Sequence, residues 1–160
     1  MFGATLLYAL LGALGVALAI SPGYSSPLFP AAGFALALTM RKGWRAWPSV
    51  ALGSLTLNLG ISVLKGHPLV AVLPMAAIIG LGAALQSAVG AHWVSKYLKQ
   101  DWQAFDNEKT TLLMLTLGGV LPCIINATVG ATSLLAFGVI EPSAWGFTWW
   151  TWYAGDVLGV

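Results

Sequence analysis

Residues 145–160 read WGFTWWTWYAGDVLGV. Aromatic and small apolar side chains surround one carboxylate, Asp156, and such a run reads as a membrane helix. An ionisable group inside a membrane segment is costly, so Asp156 is a candidate functional residue by default. The whole chain agrees with this reading: 58% of its 160 residues are hydrophobic and only 8% charged, against about 25% charged in soluble domains. The expected fold is all-α, a polytopic transmembrane helical bundle of about five complete spans plus a sixth ending at the C-terminus, forming one domain over residues 1–160.

Upstream of this helix, Thr110 to Ile140 is apolar but interrupted by Gly118, Gly119 and Pro122. It reads as one kinked helix closed by Glu141-Pro142, because two crossings need about 40 residues. Lys96 to Lys109 carries three lysines and three acids and reads as a solvated loop. Before it, after the polar link Lys65-Gly66-His67-Pro68, lies an apolar helix running to Tyr97, with Pro74 as a kink point. Its Gly82, Gln86 and Gly90, flanked by Ala83 and Ser87, form a small-residue stripe that lets helix backbones approach closely in lipid. This helix is therefore the expected centre of packing.

Pro48, placed where a first helical turn tolerates a missing amide hydrogen, opens a helix to Leu64 with Ser54, Asn58 and Ser62 on one face. The shorter apolar segment Leu28 to Met40 ends in a basic and aromatic turn, Arg41-Lys42-Gly43-Trp44-Arg45-Ala46-Trp47, of the kind found at membrane interfaces. Residues 21–30, with three prolines, read as a loop. Met1 to Ile20 is long enough to span. Ala17-Leu18-Ala19 before Ser21-Pro22 faintly resembles a signal-cleavage site, but the basic leader is missing, so a retained helix is expected.

Six of the seven basic residues (Arg41, Lys42, Arg45, Lys96, Lys99 and Lys109) follow the second and fourth helices, and Lys65 alone lies on the other side. The positive-inside rule then places those two loops and the N-terminus in the cytoplasm, and Lys65, His67 and Glu141 outside. A net charge of +2, without a dense basic run, offers nothing to nucleic acid; the lipid bilayer is the expected partner. The lone cysteine, Cys123, has no disulfide partner in the chain. No phosphate loop, paired catalytic carboxylates, nucleophile with a base or metal-ligand spacing is present, so neither a cofactor nor an enzymatic activity is expected.

Placed by helical rise from their entry points, Asn58 lies about 15 Å deep, Gln86 about 18 Å beyond Pro74 and Asp156 about 21 Å beyond Pro142. Asn126 sits near the Pro122 kink, closer to the outer face. These side chains are expected to converge on an interior polar cluster with Asp156 as its ionisable member; the alternative is a set of separate interhelical hydrogen bonds, each worth about 0.6 kcal/mol. Trp145, Trp149, Trp150 and Trp152 are read either as interface anchors or as a wall for a hydrophobic ligand.

Several stretches together resemble a bacterial integral-membrane sensory family, the first class of membrane-associated sensor domains. They are Phe29-Pro30-Ala31-Ala32-Gly33, the turn Arg41-Lys42-Gly43 to Trp47-Pro48, the helix Gly80 to Trp93, and Trp149-Trp150 leading to Gly155-Asp156-Val157-Leu158-Gly159. Pro30, Gly33, Arg41, Gly43, Trp47, Pro48, Gly155 and Gly159 are the motif positions. The resemblance implies a polytopic sensor of the bacterial inner membrane, commonly of eight helices. It further implies a cytoplasmic output domain or signalling partner, such as a diguanylate cyclase, a cyclic-di-GMP phosphodiesterase or a histidine kinase, and it leaves a homodimer open. On that comparison the chain is expected to be the N-terminal part of a longer domain. The rival reading is a small transporter or channel subunit that uses Asp156 to couple ions or protons.

Overall fold

The computed structural model describes residues 1–19, 26–66, 68–98 and 108–160. Among them every regular element is helical. Helix α1 spans Phe2–Ala17, α2 Pro30–Lys42, α3 Trp47–Leu64, α4 Leu69–Leu98, α5 Glu108–Met114, α6 Leu121–Ala136 and α7 Trp145–Gly159. A π-helical turn, Leu115–Val120, joins α5 to α6 without a break, so the run from Glu108 to Ala136 is one continuous rod, as expected. Three stretches, Pro30–Leu64, Leu69–Leu98 and Glu108–Ala136, are long and apolar enough to cross a membrane. Within the first of these, Gly43 bends the chain between α2 and α3. His67 and most of the expected polar loop, residues 99–107, lie outside the described residues, as do residue 20 at the end of the expected first helix and 21–25 of the expected proline-rich loop.

The boundaries correct the sequence expectations in three places. The fifth rod stops at Ala136 rather than Ile140. Gly138 adopts φ 69°, and the amides of Gly138 and Val139 bond back to the Leu135 and Leu134 carbonyls at 3.0 and 2.8 Å, a glycine-terminated cap that satisfies carbonyls the helix itself cannot. Helix α2 begins at Pro30, not Leu28, because proline's fixed φ suits the first helical position. The distortion expected at Pro122 is a widened turn just before it. Pro122 has no N–H for the Gly118 carbonyl four residues back, and that carbonyl instead faces α4, standing 2.9 Å from where a Cβ on Gly90 would be.

Helix α4 is the central rod, packing on α2, α3 and α6, while α1 lies on α2 and α3, and α7 on α2 and α6. Tyr8 packs on Gly53 and Leu57 on Gly12, so α1 and α3 run in the same direction. Gly82 meets Asn126 and Val129, and Gly90 meets Gly118 and Pro122, so α4 and the α5–α6 rod run antiparallel. The turn between α2 and α3 packs beside Leu81 to Ala88 of α4, so the end of α2 lies in the half of the bundle where α4 ends and α5 begins. Exposed Arg41, Lys42, Arg45, Lys96 and Lys109 gather there, and Lys65 and Glu141 stand at the other.

The core is made of small side chains. Ala31, Ala76, Ala127 and Ala131 are fully buried, while Leu10, Leu14, Leu52, Leu81, Leu85 and Leu112 face outward. A water-soluble bundle buries its leucines; a lipid-embedded one packs small residues inside and leaves large apolar groups to the acyl chains.

Gly43, where α2 ends, has φ 60° and ψ −148°, a region reserved for glycine. Gly43→Ala should lower stability by about 1–3 kcal/mol although nothing lies within 4 Å of the added methyl. Thermal unfolding in detergent checks this; unchanged melting would mean that the turn relaxes freely.

Candidate functional site

The four-residue spacing of Ser54, Asn58 and Ser62 turns one face of α3 inward, and the stripe on α4 places Gln86 against α6. Asp156 enters from α7 and is fully buried. Asn126, on α6, donates its Nδ2 to Asp156 Oδ2 at 3.2 Å. Gln86 donates to Cys123 Sγ at 3.4 Å, and its amide also bears on the Asp156 carboxyl. On the opposite side, buried Tyr8 stands near the same carboxyl with the Ser54 hydroxyl in hydrogen-bonding reach. Asn58 donates to the Ser54 carbonyl at 2.9 Å. The structure therefore brings together Asn58, Gln86, Asn126 and Asp156, and adds Tyr8, Ser54 and Cys123.

A cavity of about 40 Å³ sits beside Asp156, lined among others by Tyr8, Ser26, Ser54, Asn58, Asn126 and Trp152. A second cavity of about 260 Å³ opens toward the Lys65 end. The two share Asn58, Ile61 and Trp152 as walls. Among the described residues, no basic side chain lines the inner cavity. Three buried acceptors in this centre, Asp156 Oδ1, Asn126 Oδ1 and Gln86 Oε1, have no donor among the described residues, which is unusual because buried polar atoms are nearly always paired.

Trp149 and Trp150 sit away from this centre. Trp149 stacks on Tyr153 at 5.3 Å and donates to Thr128 Oγ1 at 3.0 Å, and Trp150 is exposed. The tryptophan at the cavities is Trp152, whose indole fills the space left by Gly130. Sequence reasoning passed over Tyr8, Ser26 and Cys123, which look like ordinary residues of apolar or proline-rich runs. The one usable signal was Tyr8, since a phenol in an apolar helix needs a hydrogen-bonding partner once buried.

The motif positions divide between two places. Arg41, Gly43, Trp47 and Pro48 form the turn at the basic end, where Trp44 and Trp47 pack at 6.2 Å. Pro30, Gly33, Gly155 and Gly159 form a single crossing next to Asp156. There the extended segment Ser26 to Phe29 lies against the last turns of α7, and the Phe29 amide donates to the Gly155 carbonyl at 3.0 Å. A Cβ at Gly155 would fall on the Ser26 carbonyl, one at Gly159 on that of Phe29, and one at Gly33 on that of Gly159. Absent side chains at these glycines let the non-helical backbone approach α7 this closely.

Among the described residues, no three His, Cys, Asp or Glu side chains meet as they would at a transition-metal centre. No curated protein and no solved structure matches the chain. A family model, MASE1, matches residues 2–160. With its apolar rods, inward-facing polar centre and this match along nearly its whole length, the chain belongs to the MASE1 family of membrane-associated sensor domains.

Proposed function

We propose that this chain is the signal-input module of a bacterial inner-membrane sensor, relaying a stimulus to a cytoplasmic output such as cyclic-di-GMP turnover or a histidine kinase. The observation that carries this reading is Asp156, fully buried yet bordering a cavity at the crossing of α7 with Ser26 to Phe29. A stimulus that changes the carboxyl's surroundings would bias the packing of α7 on α2, and a ligand shifts such an equilibrium only by preferring one arrangement. Six helices cross the bilayer in this proposal, with the N-terminus in the cytoplasm. The rods α1, α2 and α7, of 16, 13 and 15 residues, span only about 20–24 Å by helical rise. They therefore need flanking residues or local thinning of the roughly 30 Å hydrocarbon core.

Joined in frame to a diguanylate cyclase, the chain should make cyclic-di-GMP production depend on Asp156. Output identical in wild type and Asp156→Asn would refute the sensor reading. The transporter reading is favoured by one observation, the unwound backbone of Ser26 to Phe29 beside a membrane carboxylate, an arrangement that transporters use for ion sites. Asp156-dependent flux in proteoliposomes would select it.

Orientation is testable separately. Cys123 is buried and should resist thiol reagents, since reactive thiols are accessible ones. A membrane-impermeant maleimide should therefore label Lys65→Cys and not Arg41→Cys in intact spheroplasts. The reverse pattern would invert the proposed topology.

A further inference from the structure

Asp156 presents one oxygen to Asn126 and, among the described residues, has no donor on the other, Oδ1. A buried carboxylate without a charged partner is neutralised by a proton or by a cation. A proton sits on the oxygen itself and needs no room. The space beside Asp156 is about 40 Å³, more than the roughly 10–15 Å³ that one water requires. Its walls are rich in oxygen-bearing residues: the hydroxyl side chains Tyr8, Ser26 and Ser54 and the amide side chains Asn58 and Asn126. Oxygen donors suit hard cations, whereas soft metals select thiolate. Among the described residues only one carboxylate, Asp156, lines the cavity, which balances a single positive charge.

We infer that the cavity between Asp156, Asn126, Tyr8 and Ser54 is a binding site for a small monovalent cation of the sodium or potassium class. The wider cavity toward the Lys65 end, sharing the walls Asn58, Ile61 and Trp152, marks the side from which the ion reaches it. The proposal deepens the sensor reading by naming its ligand, and its consequence for output rests on that reading. Binding is measured without any output.

The purified chain in detergent is melted in sodium, potassium or choline chloride at equal ionic strength. Sodium or potassium should raise the melting temperature by about 5 °C over choline near saturation, and Asp156→Asn should abolish the difference. Should Asp156→Asn fail to fold, Ser54→Ala, which removes one lining hydroxyl, should move the salt concentration giving half the shift upward about tenfold. Equal melting in all three salts overturns the proposal, as does a shift that survives Asp156→Asn or one that follows pH but not cation identity. A cation-dependent shift together with cyclase output indifferent to Asp156 keeps the site and removes the sensor reading; the opposite pair of results removes the site alone.

Discussion

Gly155→Ala should lower the melting temperature of the detergent-solubilised chain by about 10 °C, whereas Gly60→Ala should leave it unchanged. Each substitution adds one methyl to a helix, so propensity alone favours both. The surroundings differ. Nothing lies within 4 Å of a Cβ at Gly60, while one at Gly155 falls on the backbone carbonyl of Ser26. That backbone has little freedom to retreat, because the Phe29 amide is bonded to the Gly155 carbonyl and the Ser26 hydroxyl is bonded to the Leu28 carbonyl at 2.7 Å. Overpacking costs about 1–3 kcal/mol, and separating the segment from α7 leaves the Phe29 amide unpaired for about 1–3 kcal/mol more. A combined loss of about 4 kcal/mol, at roughly 2–4 °C per kcal/mol for a chain of this size, gives the expected shift. Equal melting of the two variants would mean that the crossing is looser than the structure places it.

The second large effect concerns the carboxyl itself. Asp156→Asn should reduce the stimulus-dependent output of a fused cyclase about tenfold, within the 1–3 kcal/mol typical of coupling between sites. The amide keeps a hydrogen bond with Asn126 but removes the only carboxylate of the inner cavity. Restoring that carboxylate from the other side is the sharper experiment. With Asn126→Asp added to Asp156→Asn, the two facing groups are exchanged, the single carboxylate remains, and output should recover toward wild type. Residues in direct contact are where such non-additivity is expected. If the pair behaves as the sum of two losses, the charge acts from α7 alone and its contact with Asn126 is structural. Cyclic-di-GMP measured per folded protein distinguishes these results from simple loss of the bundle.

Much of this centre was legible before any fold was known. The inward stripe of α3 and the small-residue stripe of α4 follow from four-residue periodicity, and both face as that periodicity required. Asn58, Gln86, Asn126 and Asp156 stand out because polar groups in apolar runs are costly in lipid. The place of Tyr8 and Ser26 beside the acid was not legible. Tyr8 becomes polar in role only because α1 lies alongside α3, and Ser26 becomes buried only because an extended segment is folded inward against α7. Of the tryptophans read as interface anchors or a ligand wall, helical register turns Trp149 and Trp150 away from the acid and presents Trp152 to its cavity.

Composition and periodicity by themselves determined that this is a helical membrane protein with an acid inside it, because each is a local property of the chain read against the cost of charge in hydrocarbon. Which groups share the acid's cavity, and that Gly33, Gly155 and Gly159 hold unwound backbone beside it, was decided only by the tertiary structure. Those partners come from helices far apart in sequence, and their meeting is fixed by how closely backbones can approach where small residues coincide.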